Sequence, residues 1–384
     1  TNGPNYHWFG YYDKLQFDPS SRYVLGMQVT FEHRSPRSDD LVRLGMVDLK
    51  DGFRWIELDE SRAWCWQQGC MLQWRPGSMT EIMFNDREGE RFVSRVLDVQ
   101  TGEKRTLPIP FYTISPDGIT ALSTDFRRIQ DMRPGYGYPG VSDPNKRVFA
   151  PTDSGIYKLS CDTGEYGLVL TIDQVVHDVA SPVVRKETKH YFNHLLFNPD
   201  GSRFVFLHRW RDSNRLLNTR MITASPTGND VRVIDDYGLT SHFIWRDSQH
   251  ILAWSWHPSN GNGFYLYRDG SADVRVIGDG AMTLNGHCSY VPGTEWILND
   301  TYPDSNHRNQ QLYLYHESGN EMRVIGRFHS PDKYRGEWRC DLHPRSSPDG
   351  RYVVFDSTHE GHGRQMYIVD VSGITNSCVA NNTI

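Results

Sequence analysis

The sequence predicts an all-β fold, a single seven-bladed β-propeller, from three observations. Short strands separated by turn residues run along the chain of 384 residues, with no helix of ordinary length indicated. A strand–turn–strand segment recurs seven times, and a second hairpin follows each of the first six. Four strands per repeat, at spacings of roughly 40 to 80 residues, are typical of propeller blades. A tandem of β-sandwiches is the rival arrangement, and the regular four-strand spacing disfavours it.

The first hairpin of each repeat is marked by its turn. Proline presets φ and glycine takes a positive φ, so Pro-Asp-Gly favours a tight turn. In the clearest case, Pro199-Asp200-Gly201 precedes the aromatic and β-branched run Phe204 to Leu207, which favours a strand. The other six turns lie at Asp18-Pro19-Ser20, Arg75-Pro76-Gly77, Pro116-Asp117-Gly118, Trp245-Arg246-Asp247, Val291-Pro292-Gly293 and Pro348-Asp349-Gly350.

The second hairpins predict the outer half of each blade. Their turns lie at Asp51-Gly52, Thr101-Gly102, Thr163-Gly164, Thr227-Gly228, Asp269-Gly270 and Ser318-Gly319. The last repeat ends at Met366 to Val371 without a return strand. We therefore expect a three-stranded last blade or one that borrows a strand from the N-terminal segment, residues 1–16. Residues 1–374 are predicted to form one catalytic propeller domain, and residues 375–384 a disordered C-terminal tail.

Composition narrows the classes of partner. The net charge is -6 with both signs interspersed, which argues against nucleic acid. No run of 18 apolar residues exists, so no membrane partner is expected. The chain starts at Thr1, which suggests a processed form in the periplasm or outside the cell, with the cytoplasm as the alternative. Six cysteines do not make a disulfide scaffold; Cys65 and Cys70 are expected to be two isolated buried thiols, with a disulfide between them as the alternative.

Four repeats carry a histidine at matching positions in the inner strand. His194, His287 and His343 each stand five residues before the proline of the turn. His242 stands four residues before Arg246, which occupies the proline position in its repeat. Matching positions on inner strands form a ring about the propeller axis, so we expect these histidines to line one arc of the channel. Single histidines are usually structural, but four at one level favour a functional site.

A cysteine joins two of these histidines as a candidate metal site. Cys340 lies three residues before His343, and His287 belongs to the neighbouring blade. Imidazole and thiolate are good ligands for zinc and other first-row metals. Arg339 and Arg345 flank the set and would repel a cation unless an anion also binds there. The alternative is a buried thiol beside a structural histidine.

Basic residues follow the inner strand of the fourth repeat. His208 is expected to end one strand and Arg220 to open the next, so both should lie at the same end of the sheet. Together with the loop between them, the basic set comprises His208, Arg209, Arg211, Arg215 and Arg220. Because arginine binds carboxylates bidentately, the set predicts a cationic wall beside His194 and His242. A solvated loop is the alternative for Arg209 to Arg215.

Aromatic residues open the first two repeats. Tyr11 lies in the stretch Tyr6 to Asp13, and Trp66 lies in the stretch Trp64 to Gln68. Aromatic rings beside polar groups at a channel mouth suit stacking on sugars. Packing in the hydrophobic core is an equally good interpretation.

At these residues the chain resembles the oligogalacturonate lyase family, a group of seven-bladed propeller polysaccharide lyases. The resemblance comprises His194 before its Phe-Asn-Pro-Asp turn, His208, Arg220, Ser241-His242-Phe243 and His287. The segment Cys340 to Arg345 fits the family's metal motif Gln-x-x-His-Pro-His, with His343 and Pro344 retained. Cys340 stands where the family has glutamine, and Arg345 stands where it has a second histidine. The resemblance implies a divalent metal, which is manganese in the family; with these two departures the ion expected is zinc or manganese, and a site without metal is the alternative.

The resemblance implies β-elimination of a uronic-acid-containing oligosaccharide or polysaccharide, such as the oligogalacturonates of pectin. It implies His242 or Arg220 in proton abstraction and the His287 cluster on the carboxylate, and the sequence does not separate base from stabiliser. The predicted catalytic residues are His194, His208, Arg220 and His242; the substrate-binding residues are Tyr11, Trp66, Arg209, Arg211, Arg339 and Arg345; the metal ligands are His287, Cys340 and His343.

Two other classes of function fit the same scaffold. A glycoside hydrolase needs two carboxylates facing the channel, and the inner-strand candidates are Asp13, Glu337 and Asp341. A non-catalytic propeller that binds a partner would instead carry aromatic hot spots without an arc of histidines.

Overall fold

The computed structural model describes residues 1–375, which form seven antiparallel sheets arranged as a seven-bladed β-propeller. This confirms the predicted fold class. Each sheet runs in chain order from the innermost to the outermost strand. The predicted tail, residues 375–384, lies outside the described residues except for Thr375, which ends a short helix.

The first three blades comprise twelve short strands. Blade 1 contains β1 (Tyr6–Trp8), β2 (Tyr23–Val29), β3 (Val42–Asp48) and β4 (Arg54–Ser61). Blade 2 contains β5 (Gln73–Trp74), β6 (Glu81–Glu88), β7 (Arg91–Asp98) and β8 (Lys104–Leu107). Blade 3 contains β9 (Thr113–Ile114), β10 (Thr120–Ser123), β11 (Gly155–Ser160) and β12 (Tyr166–Thr171).

The remaining four blades contain the other strands of residues 1–375. Blade 4 contains β13 (His190–Phe197), β14 (Phe204–Arg211), β15 (Leu217–Ala224) and β16 (Arg232–Gly238). Blade 5 contains β17 (Thr240–Trp245), β18 (His250–His257), β19 (Gly261–Arg268) and β20 (Val274–Ile277). Blade 6 contains β21 (Ser289–Tyr290), β22 (Trp296–Asp300), β23 (Asn309–His316) and β24 (Glu321–His329). Blade 7 contains β25 (Arg345–Ser346), β26 (Tyr352–Ser357) and β27 (Gln365–Asp370).

The turns between the first two strands of the blades follow the sequence prediction. Gly118, Gly201 and Gly350 adopt φ values of 74°, 73° and 68°, which a side chain would disfavour. The aspartate of the same turn accepts a backbone hydrogen bond two residues on, as Asp200 does from Ser202 at 2.9 Å. Local chemistry therefore fixes these hairpins.

Blade 7 is three-stranded within residues 1–375, and the N-terminal segment lies along its edge. The backbone N–H of His7 donates to the carbonyl of Arg364 at 2.8 Å. The Thr1 amino group donates to the carbonyl of Met366 at 2.9 Å. The expected donor segment thus contacts β27, although β1 pairs in register with β2 of blade 1. These bonds join the first and last blades.

An insertion between β10 and β11 covers one end of the channel. It begins with helix α1 (Phe126–Met132), whose first turn is capped by the Asp125 side chain. The buried guanidinium of Arg128 donates to the carbonyls of Asn145, Val148 and Phe149, at 3.0, 2.8 and 2.8 Å. Arg128 therefore holds residues 145–149 of the insertion against helix α1. The residues between the helix and this anchor, including 133–138, are thereby held over the inner strands.

Two further helices are short, α2 (Ile172–His177) and α3 (Ser372–Thr375), and a 3-10 helix spans Gly336–Trp338. Across residues 1–375, no helix has the length and apolar character needed to cross a membrane. Cys65 and Cys70 are both buried and free, as expected.

Candidate functional site

The histidines predicted to share one level do converge, and a break in the inner strands brings this about. His194 and His343 adopt positive φ values of 54° and 43°, and Met71 at the matching place in blade 2 adopts 59°. At His194 the pairing of β13 with β14 slips between Asn193 and Leu196. Such bulges redirect a side chain, and a non-glycine residue at positive φ costs about 1 to 3 kcal/mol. The surrounding fold therefore holds these residues toward the axis.

Ring contacts link the four histidines of the arc, which are His194, His242, His287 and His343. The His242 and His287 ring centroids are 4.1 Å apart, and those of His287 and His343 are 4.2 Å apart. Tyr11 stacks on His194 at 4.9 Å and contacts the edge of His343 at 5.1 Å. Tyr11, a predicted substrate-binding residue, therefore forms the floor of the arc and joins its two ends.

His287 has its tautomer set by a buried carboxylate. Its Nδ1 lies 2.9 and 3.0 Å from the two oxygens of Asp300, and its backbone N–H donates to the same carboxyl at 2.7 Å. The backbone N–H of His343 donates to Asp300 at 3.1 Å. Burial lowers the pKa of His287 to about 3 and raises that of Asp300 to about 7. Because each Asp300 oxygen already accepts a backbone N–H, Asp300 is the acceptor toward the ring, so Nδ1 donates and Nε2 presents a lone pair.

That lone pair faces two more potential ligands. One ligand atom from each of His287, Asp341 and His343 lies within 4.8 Å of the others, close enough to bind one metal ion. Within residues 1–375, Nε2 of His287, Nε2 of His343 and Oδ1 of Asp341 are buried without a hydrogen-bond partner. Unpaired buried polar atoms are rare in proteins. A carboxylate that orients a histidine from behind, as Asp300 does here, is usual at metal centres.

Cys340 does not join this group, and Asp341 takes its place. The Cys340 thiol is buried, and burial raises its pKa far above the ordinary value. The charges near it belong to Arg364, Asp356, Glu32 and Asp341, and only the last of these belongs to the group of three potential ligands. In the irregular segment between the 3-10 helix and β25, neighbouring side chains point different ways. The geometric group therefore contains the residue after Cys340 and not Cys340 itself.

His242 and His194 differ in which ring nitrogen can accept a proton, because their hydrogen-bond partners differ. His242 Nδ1 lies 2.9 Å from Oδ1 of Asn285 and so carries the proton, which leaves Nε2 as an acceptor. His194 Nδ1 lies 3.3 Å from the amide nitrogen of Gln68, whose oxygen accepts from Tyr112 at 2.8 Å. Nδ1 of His194 is then the acceptor. Burial, strengthened by neighbouring positive groups, holds the pKa of both histidines well below the ordinary value.

Arginines and tyrosines form the wall above the arc. Arg339 donates to Asp341 at 2.7 Å and to the Tyr136 hydroxyl at 2.7 Å. Arg209 donates to Thr219 at 3.1 Å, and its Nη1 finds no partner in the described part of the chain. Arg133 lies 4.4 Å from the Tyr136 ring centre. Besides burial, the charge of Arg209 lowers the pKa of His194 and His242, and that of Arg339 lowers the pKa of His287 and His343. These two predicted substrate-binding residues therefore do face the site.

His208 and Arg220 lie elsewhere, contrary to the prediction. Arg220 donates to Nδ1 of His208 at 2.9 Å and to the carbonyls of Val175 and Val179 beside helix α2 at 2.5 and 3.2 Å. His208 Nε2 lies 2.9 Å from Nδ1 of His190. The reason is strand alternation, because β14 extends to Arg211, and His208 and Arg209 point to opposite faces. The arc receives Arg209, whereas His208 and Arg220 face blade 3.

Three more predicted residues do not offer their side chains to the arc. Arg211 is exposed and donates to the carbonyl of Arg215 at 2.9 Å. Arg345 is buried against Asp356 at 3.3 Å, an ion pair that neutralises it. Trp66 is 1% exposed, and its ring packs on Trp8 at 5.1 Å. Trp66 is therefore a core residue, as the alternative interpretation held.

Sequence reasoning missed several residues of the site. Asp300 ends β22, and its strand position alone does not indicate that it would bond His287. Arg133, Tyr136 and Tyr302 lie in loops whose placement depends on contacts with distant segments. A usable signal was the length of the insertion between β10 and β11, since long loops on a rigid scaffold commonly carry function.

Comparison with known proteins gives the architecture. No protein-family model and no curated protein sequence matches the chain. The structure is similar to an oligogalacturonate lyase from Vibrio parahaemolyticus, with a TM-score of 0.68, 15% identity, and coverage of 97% of this chain and 92% of that one. It is also similar to a prolyl endopeptidase (TM-score 0.55, 9% identity, coverage 95% and 47%) and to the tricorn protease (TM-score 0.54, 11% identity, coverage 97% and 34%). At such identities the similarity shows the propeller fold alone, and one fold hosts many activities.

Proposed function

We propose that this chain is a lyase that cleaves a uronic-acid-containing oligosaccharide or polysaccharide by β-elimination. The observation that carries the proposal is the set of unpaired buried ligand atoms on His287, Asp341 and His343 beneath an arginine-rich wall. The similar structure from Vibrio parahaemolyticus bears the name of such a lyase. It supports the proposal through shared architecture only.

The donor set fits a divalent metal such as zinc or manganese. Two imidazole nitrogens and one carboxylate oxygen are usual ligands for either ion, and three protein ligands leave positions open for a substrate. We propose that His287, Asp341 and His343 hold the metal. When bound, such an ion would neutralise a substrate carboxylate and so acidify the neighbouring C–H group.

The chain's own residues supply the remaining chemistry. In β-elimination from a 4-linked uronide, a base removes the C5 proton beside the carboxylate, and the sugar oxygen on C4 leaves. His242 is the proposed base, because its Nε2 is an acceptor and the ring is neutral. Arg209 and Arg339 are proposed to bind the carboxylate, whose negative charge grows as the proton is removed. His194 is proposed to donate a hydrogen bond through Nε2.

A hydrolase is less well supported by the same geometry. Asp13 lies 3.1 Å from the Lys14 ammonium, and Glu337 accepts a hydrogen bond from the Ser35 hydroxyl. Asp341 is the remaining candidate, and its Oδ2 accepts from Arg339. A glycosidase needs one protonated and one free carboxyl on either side of the scissile bond.

The proposal is tested by identifying the reaction product, which is an unsaturated uronide if the chain is a lyase. Purified protein should be incubated with uronide oligosaccharides of different composition, with and without added zinc or manganese, and followed by ultraviolet absorbance. A lyase creates a C4=C5 double bond conjugated to the carboxylate, so absorbance should rise in step with chain cleavage. Cleavage that yields only saturated reducing ends would indicate a hydrolase. Absence of cleavage on every uronide tested would reject the proposal.

A further inference from the structure

We infer that Tyr136 is the group that protonates the leaving sugar oxygen. This rests on the proposed function and adds a residue to it that sequence reasoning did not identify. Tyr136 is buried in the insertion that covers the channel, and its ring meets the edge of His194 at 5.8 Å. Its hydroxyl therefore lies in the wall of the proposed site.

The backbone around Tyr136 is held in place on both sides. The Gly135 carbonyl accepts a hydrogen bond from the backbone N–H of Gln67 at 3.3 Å. Gly135 adopts a φ of 93°, and a Cβ there would come within 2.8 Å of Cγ of Glu337. Only glycine suits this conformation and this space. The phenol is thus fixed between blade 2 and the 3-10 helix.

Two arginines distinguish this phenol from others near the arc. Nη2 of Arg339 donates to the Tyr136 hydroxyl at 2.7 Å, and Nη2 of Arg133 lies 3.5 Å from it. Burial would raise the pKa of Tyr136, but these two cations outweigh burial and lower it. Tyr302, also near the arc, has its pKa raised by burial. Of the two phenols, Tyr136 is therefore the stronger acid, and its phenolate is the better stabilised.

The other groups near Tyr136 do not alter this ranking. Those that face it from neighbouring elements, besides the two arginines, are Tyr11, His194, Arg209, Tyr302 and Asp341. Asp341, which pairs with Arg339 at 2.7 Å, opposes the arginines, but their combined effect on the pKa of Tyr136 is larger. His194 is neutral and adds no charge.

The proton and electron balance then closes within the site. The C5 proton passes to Nε2 of His242, and the C5–H electron pair becomes the second bond between C4 and C5. The C4–O bond breaks with its pair on oxygen, and that oxygen takes the proton of Tyr136. The resulting phenolate is neutralised by Arg133 and Arg339. Exchange with water returns a proton to Tyr136 and removes one from His242 before the next turnover.

The decisive variant is Tyr136→Phe, with Tyr138→Phe as the matched control. Tyr138 lies on the same loop and is also buried, but its hydroxyl accepts from Asn85 at 3.0 Å, away from the arc. Tyr136→Phe should lower kcat for a glycosidic substrate by roughly 10² to 10⁴ with little change in KM. It should also remove the loss of activity at alkaline pH, because an acid must stay protonated. Tyr138→Phe should keep both properties of the wild type.

A second substrate separates proton donation from positioning. A uronide carrying fluoride at C4 needs no protonation of its leaving group, so Tyr136→Phe should lose little activity on it. An equal loss on both substrates, near-wild-type kcat on the glycoside, or an unchanged alkaline limb would each overturn the assignment.

A third measurement does not depend on activity. Phenolate absorbance, titrated in the wild type and in Tyr136→Phe, should differ by one tyrosine that ionises below the ordinary pKa of about 10. Ionisation at or above that value would contradict the assignment. If the wild type cleaves no uronide, the proposed function fails, and the titration still reports on Tyr136 by itself.

Discussion

At the scale of single residues, the hydrogen-bond partners of a histidine decide what it can do. Asn285 holds the proton of His242 on Nδ1 and leaves Nε2 as an acceptor, 3.4 Å from the Tyr302 hydroxyl. The sequence marked His194 and His242 equally, because their repeat positions match. It could not distinguish them, since Asn285 and Gln68 come from other blades.

His242→Ala should lower kcat by roughly 10² to 10⁴ with KM little changed, because a proton-transfer group is lost while carboxylate binding remains. The exposed His177 provides the control, and His177→Ala should retain wild-type kinetics. The measurement is the rate of ultraviolet product formation at saturating substrate. Near-full activity of His242→Ala would show that another group is the base.

The metal ligands offer a test between adjacent residues. Asp341→Asn should reduce the metal content, because it removes a charged ligand from the proposed set. Cys340→Ser should leave the content unchanged, because the thiol lies outside that set. Elemental analysis of both variants against wild-type protein measures this directly. Metal loss in Cys340→Ser alone would restore the ligand assignment made from sequence.

At the scale of elements, the sequence predicts the positions of the turns, but it does not predict to which face of a strand each side chain points. Pro-Asp-Gly turns gave the hairpins, because Pro199 and Gly201 act within a few residues. The sequence predicts that β14 ends at His208, whereas the strand continues for three more residues to Arg211. A strand has no turn signal at its exposed end, so its last residues depend on pairing with β15.

Because Arg220 of β15 points away from the arc, we expect it to stabilise the fold and not to take part in catalysis. Arg220→Ala should lower the free energy of unfolding by about 2 to 4 kcal/mol, because it leaves His208 and two carbonyls beside helix α2 buried without their donor. Turnover per folded molecule should change little. Arg211→Ala, on the exposed end of β14, should stay within about 0.5 kcal/mol of the wild type.

Denaturant unfolding and activity should be measured on the same samples of these variants. If Arg220→Ala lost turnover while keeping its unfolding midpoint, the catalytic role implied by the family resemblance would hold, and the structural role would be refuted.

At the scale of the whole molecule, the propeller buries many neutral histidines. Away from the proposed metal ligands, burial lowers the pKa of His7 and His190 to about 4 and that of His208 well below its ordinary value. The unfolded chain binds a proton at each of these residues below about pH 6.5. Buried carboxyls act the other way, since the pKa of Asp235 is raised to about 6. Within residues 1–375, histidines with a lowered pKa outnumber carboxyls with a raised one, so the histidines decide the sign of the net effect.

We expect acid to unfold the protein, with stability falling as the pH drops from about 6.5 to about 4. In that range the unfolded state binds more protons at the histidines than the folded state, so the free energy of unfolding rises with pH. The contribution of a single histidine can be tested at His7, which lies where blades 1 and 7 meet. Its Nδ1 is 3.0 Å from Oε1 of Gln365, and its Nε2 is 2.8 Å from Nε2 of Gln28. His7→Gln keeps a polar side chain there but removes the titration. As the pH drops, the free energy of unfolding of this variant should fall less steeply than that of the wild type. The two slopes should differ by about 1.4 kcal/mol per pH unit, which corresponds to one proton. Parallel curves from denaturant unfolding across this range would show that His7 does not titrate on unfolding.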